Sequence, residues 1–256
     1  MNFRFRAVLL GWSLCATAAA AAPVIDPAEL AYHEQPGNSV PVTLPFRDEG
    51  DHPVTLADIA HGRPLLLVPA YYGCSSLCGL VRSSLYGALG PVGAGGYAVA
   101  VLSIDPAEHG DDARLAQAHD RLALSAVPGL KPHYLTGTAT NIQAVTAAVG
   151  FHDRRDAASG QFLHPAGVVV LTGGGIVSGY LLGVGYTPDQ VRAALARAQA
   201  GRLAAIGAPL LLLCFHYDVA SGRYSLEVMK VLRLAAFMTV LVVMGVVGLM
   251  FRREHS

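Results

Sequence analysis

Leu234 to Phe251 is a run of eighteen residues without a charge, and no other feature limits so tightly what this chain can fold into. As a helix rising about 1.5 Å per residue it is roughly 27 Å long, close to the thickness of a bilayer's hydrocarbon core. A helix that is apolar on every side has no face to offer water. Lys230 and Arg233 flank one end, and Arg252 and Arg253 the other. The pattern predicts one transmembrane helix over residues 234–251 and a short tail over 252–256. Composition agrees, with 53% hydrophobic and only 14% charged residues, against roughly 25% charged in a soluble domain. Eighteen Lys+Arg balance eighteen Asp+Glu, so no net field draws in a polyanion, and no nucleic-acid partner is expected.

The other end of the chain gives the orientation. Arg4 and Arg6 precede an uncharged stretch from Ala7 to Ala22, whose small residues Ala18 to Ala22 suit cleavage before Pro23. That order predicts a secretory signal peptide over residues 1–22. Leu14 stands before Cys15 where a lipobox needs a small residue, so Cys15 should leave with the signal. With the N-terminus exported, the Arg252-Arg253 tail lies on the cytoplasmic side, as positive charges do. The expected placement is the inner membrane, single-pass, with the main domain in the periplasm, an oxidising compartment.

Between these ends the pattern is that of an α/β domain. Residues 23–53 carry six prolines and read as an extended lead-in. Thr55 to His61 is ambiguous. Pro64 to Ala70 and Tyr97 to Ile104 are short apolar runs of buried-strand type, and Gly167 to Leu171 and Ile176 to Leu182 flank a Thr172-Gly-Gly-Gly175 hairpin signal. His133 to Leu135 is a further short strand candidate. Helices are expected from about Cys74 to Leu89, over Asp111 to Leu124 with Leu115, Ala118 and Leu122 on one face, and over Thr140 to Val149 capped by Thr138 or Thr140. A last helix runs from the Thr187-Pro188-Asp189 start to about Ala200. Strands alternating with helices, then a hairpin and a helix, predict layered α/β structure with a mixed central sheet over residues 54–201. Residues 202–233 form a juxtamembrane segment.

Three cysteines remain after signal removal: Cys74, Cys78 and Cys214. Cys74 and Cys78 follow a predicted strand and open a predicted helix. Four residues apart on a helix, two sulfurs share a face, and a helix N-terminus favours thiolate. A structural disulfide is the plain alternative in an oxidising compartment. Among the histidines, His52, His61 and His109 lie in polar turn-like stretches, His119 on an exposed helix face and His255 in the tail. His164 closely precedes a buried strand, and sites of open α/β sheets gather at strand ends. Two thiolates and one imidazole suit copper, with zinc admissible on ligand type. Cys214 and His216 would share one face of an apolar strand, either as a second metal site or docking edge or as a buried thiol packed on the domain.

Tyr71-Tyr72-Gly73-Cys74-Ser75-Ser76-Leu77-Cys78 after a strand, Ser103-Ile104-Asp105-Pro106 closing the next, and His164 eight residues before the Thr172 turn together resemble the Sco/SenC family. The resemblance covers roughly residues 41–200. It implies a thioredoxin-like fold binding one copper ion through Cys74, Cys78 and His164, with Cys74 and Cys78 also the redox-active pair. It implies a metallochaperone role, in which copper is delivered to, or the cysteines are reduced in, the dinuclear copper centre of cytochrome c oxidase subunit II or another copper protein. Whether such a chain acts as an enzyme stays open; a metal-independent thiol-disulfide oxidoreductase of the same fold is the rival reading. The chain departs from the family pattern in having Ser75 and Gly79 where proline usually follows each cysteine, Leu163 where an acid usually precedes the histidine, and its anchor at the C-terminus.

Overall fold

The computed structural model describes residues 30–73, 78–156, 160–205, 217–218, 223–224, 236–239 and 243. In chain order the elements begin with β1 (Phe46–Arg47), β2 (Pro53–Val54), α1 (Leu56–Ala60), β3 (Leu65–Ala70), α2 (Cys78–Leu89) and β4 (Ala98–Ser103). There follow α3 (Gly110–His119), α4 (Arg121–Leu124), β5 (His133–Leu135), α5 (Ala139–Ala148), β6 (Arg154–Arg155) and β7 (Phe162–Leu163). The series ends with β8 (Gly167–Leu171), β9 (Val177–Leu182), α6 (Pro188–Gln199) and a two-stranded pair, β10 (Tyr217–Asp218) with β11 (Arg223–Tyr224).

The apolar runs become strands buried on both faces because a helical layer covers each face. The sheet order is β5-β4-β3-β8-β9. β3 runs parallel to β4, and β4 to β5, whereas β8 is antiparallel to β3 and β9 to β8. This is the mixed five-stranded α/β sheet expected from the sequence. Side chains alternate along each strand: Leu66, Val68, Val99, Val101, Val168 and Val170 face α2, α3 and α6. Leu65, Leu67, Ala100, Leu102, Val169 and Leu171 face α1 and α5. Each fully buried Leu or Val contributes roughly 1.5–3 kcal/mol relative to exposure.

Local chemistry sets the helix ends. The ambiguous stretch after Thr55 is the short helix α1, opened by a capping box between Thr55 and Asp58. Thr138 caps α5, and Thr187 with Gln190 forms a capping box ahead of Pro188 in α6. The expected helix over Asp111 to Leu124 is instead two, divided at Asp120. Its expected apolar face is also wrong: Leu115 and Leu122 are 57% and 85% exposed, while Ala113, Ala116 and Asp120 point inward. Those three positions share one helical face, and the need of Asp120 to reach a buried arginine fixes the rotation.

The proline-rich lead-in is also paired. Isolated bridges join Tyr32 to Phe151 and Ser39 to Ile176, and β1 pairs with β2. Tyr32, Val40 and Phe46 thereby enter the core on the α1 and α5 side. The expected signal segment over residues 1–22, Cys214 and His216 lie outside the described residues. Of the apolar run at 234–251, only residues 236–239 and 243 are described, and they are helical. Among the described residues no helix is long and apolar enough to cross a membrane.

Candidate metal centre

β3 delivers the chain to Tyr71-Tyr72-Gly73, directly before Cys74. Residues 74–77 lie outside the described residues, and Cys78 is described only as the first backbone position of α2. The approach to this segment is tightly held. Tyr72 N–H donates to Glu108 Oε2 at 3.1 Å and Gly73 N–H to Glu108 Oε1 at 2.6 Å. The Ser103 hydroxyl donates to Glu108 Oε2 at 2.5 Å and accepts the Asp105 N–H at 3.1 Å. The Ser103-Ile-Asp-Pro106 turn is thus the base of a socket in which one buried carboxylate grips the last two amides before Cys74. Burial pushes the Glu108 carboxyl above its ordinary range, and its three donors pull it back. The Tyr72 hydroxyl bonds the carbonyls of Val101 and Leu135 at 2.9 and 3.0 Å, tying the same segment to β4 and to the end of β5.

Replacing Glu108 by alanine would strip the partner from two backbone amides and a hydroxyl. A loss of about 2 kcal/mol is expected. Amide exchange at Tyr72 and Gly73 should accelerate far more than exchange in β4. Equal acceleration throughout the sheet would show that Glu108 supports the whole fold and not this loop in particular.

His164 comes from the other half of the sheet. β6 and β7 form a small antiparallel pair with Arg154 opposite Leu163, and His164-Pro165-Ala166 then leads into β8. Because β8 is antiparallel to β3, the start of β8 and the end of β3 lie at the same end of the sheet. The two arms touch there: the Tyr71 and Phe162 rings stand 5.3 Å apart. His164 is half-buried, with its ring 5.8 Å from that of Phe151. His164 Nδ1 is 3.0 Å from the Pro165 carbonyl oxygen. With Nδ1–H donating there, the imidazole keeps its lone pair on Nε2, the usual arrangement for a metal ligand. Burial holds the imidazole below its ordinary pKa, opposed by the Pro165 carbonyl and the charge of Asp153. Asp153, ten residues before Leu163, is the acidic group whose charge favours the protonated imidazole.

Beneath α2 lies a polar network that the sequence did not announce. Arg82 Nε meets Asp120 Oδ2 at 2.6 Å and its Nη2 meets Oδ1 at 3.3 Å. The Tyr134 hydroxyl donates to Asp120 Oδ2 at 2.6 Å, and Tyr86 and Tyr134 hydroxyls are 3.0 Å apart. Arg82 sits one turn beyond Cys78, so this pair fixes the first turns of α2 against the α3–α4 junction. An arginine inside an otherwise uncharged helix was the available signal.

Other groups compete poorly. His52, His61, His109 and His119 are exposed. A polar cleft lined by Arg47, Asp51, His109, Asp111 and Arg114 has its charges already paired, Arg47 with Asp51 and Arg114 with Asp111. Among the described residues no three His, Cys, Asp or Glu side chains form a metal-holding group. Of the expected ligands, only His164 has its side chain among those residues.

No known family model matches the sequence, and no curated protein matches it. Solved structures do match. An electron-transfer candidate from Aquifex aeolicus VF5 is 23% identical, with 65% of this chain and 95% of that chain covered and a TM-score of 0.57. ScoI of Arabidopsis thaliana, a structure with copper bound, is 12% identical over 65% of this chain and 99% of that one, with a TM-score of 0.51. BsSco, a member of the Sco family of cytochrome c oxidase assembly proteins in which a disulfide switch was identified, is 16% identical over 64% and 96%, with a TM-score of 0.51. The chain shares the fold of these Sco proteins.

Proposed function

We propose that this chain binds one copper ion through Cys74, Cys78 and His164, and delivers it to, or reduces the cysteines of, the dinuclear copper centre of cytochrome c oxidase. The observation that carries the reading is the placement of His164. A half-buried imidazole, held below its ordinary pKa and with Nδ1 tied to a carbonyl, stands on the arm that touches the arm leading into Cys74. A dithiol enzyme working without metal has no use for such a group, whereas two thiolates and a neutral imidazole fit copper as cargo. The shared fold with copper-bound ScoI and with BsSco supports the same reading. The apolar run from Leu234 to Phe251 and the N-terminal signal pattern support a form held at the inner membrane with this domain in the periplasm.

One preparation tests both parts. The full chain should stay with membranes through alkaline extraction; release into the soluble fraction would remove the anchor. Solubilised and reduced, it should take up copper near one equivalent, and Cys74→Ser or Cys78→Ser should abolish tight binding. A double cysteine variant with the original stoichiometry and affinity would place the site elsewhere.

A further inference from the structure

Two histidines outside the copper site stand against each other on the surface. Tyr32 and Phe151 form an antiparallel bridge, and His33 N–H donates to the Gly150 carbonyl at 2.8 Å. The backbones approach so closely that a Cβ on Gly150, whose φ is +62°, would lie 1.9 Å from the His33 carbonyl oxygen. Glycine is required there, and main-chain pairing is what brings His33 beside His152. Both side chains are exposed, with ring centroids 4.3 Å apart and planes inclined at 44°.

We propose that His33 and His152 form a second, weaker metal site, selective for a divalent ion of the copper(II) type and separate from the cysteines. Two imidazoles bound in cis at a metal–nitrogen distance of about 2.0 Å have centroids about 4.5 Å apart at a right angle and about 5 Å at a tetrahedral one. The observed centroid separation of 4.3 Å is nearer the right-angle spacing, the cis arrangement of tetragonal copper(II) with nitrogen donors. No third protein donor completes a group among the described residues. Water fills the remaining positions, and the ion exchanges readily. Asp153, next in sequence, carries its charge close to both His152 and His164, so a cation held at the surface pair sits near the arm that bears His164.

The site stands independently of the thiolate reading, and its test removes the thiolates. The full chain carrying Cys74→Ser and Cys78→Ser, in detergent, is titrated with copper(II) and followed by electron paramagnetic resonance. One weak equivalent is expected, its spectrum split by two imidazole nitrogens. His33→Ala or His152→Ala in that background should lower the affinity at least about tenfold, with circular dichroism unchanged because both side chains are exposed. An unaltered spectrum and affinity in the double histidine variant would overturn the proposal, and so would the absence of copper(II) binding by the cysteine variant. Failure of the unmodified chain to bind copper through its cysteines would count against the function proposed above and leave this site untouched.

Discussion

Asp120→Ala is expected to lower the stability of the domain by about 3–5 kcal/mol, the cost of removing the carboxylate from a buried ion pair. For a domain of this size that corresponds to a fall of about 10 °C in the midpoint of thermal unfolding. Arg82 and Asp120 side chains are each only 5% exposed, so water cannot replace the lost carboxylate. The Tyr134 hydroxyl loses its acceptor in the same step. The double variant Arg82→Met/Asp120→Leu removes both charges and should recover much of the loss, because the buried guanidinium is then gone. A single variant as stable as the parent in urea and thermal unfolding would mean that water reaches Arg82 after all. If the double variant were less stable than Asp120→Ala, the pair would be acting through shape and not through charge.

His164→Ala is the change expected to separate copper delivery from thiol chemistry most sharply. Copper affinity should fall at least about 100-fold, beyond what loss of a supporting partner typically costs. The disulfide between Cys74 and Cys78 should still form and break, since both thiols belong to one short segment and do not need the distant imidazole. Stability should move little, for the ring is half-buried, near the adjacent Pro165 carbonyl and the Phe151 ring and outside the sheet core. In cells, oxidase maturation should fail if the task is copper delivery. Full oxidase activity together with lost copper binding would refute delivery and leave the thiol-disulfide reductase. Protein level and thiol redox state are measured in parallel, so that instability is not mistaken for loss of function.

The strands that form the centre of the sheet were legible because Leu65 to Ala70 and Ala98 to Ser103 are buried on both sides and so read as unbroken apolar runs. Thr187-Pro188 was legible because a cap acts locally, between residues three apart. The lead-in was not, since Tyr32 and Ser39 pair singly with partners more than one hundred residues away, and single bridges leave no period in a sequence. The helix after Gly110 was misread for a related reason: two leucines outweighed two alanines in the pattern, yet Asp120 decided the rotation from the interior. At the site, His164 could be singled out by its place before a buried strand. Glu108 and Asp153 could not, because their roles depend on which loops the sheet brings together.

The seam between β3 and β8 has one more consequence, for the order of events in the life of a chain. Leu65 pairs with Leu171, so closing the seam brings together positions more than one hundred residues apart. Contacts of that span form late and slowly, after local helices and neighbouring strands. Synthesis runs in the same direction. A nascent chain that has emerged past Leu89 presents Cys74 and Cys78 before His164 has been made, so under the proposed ligand set the two thiols can form or lose a disulfide before the third donor reaches them.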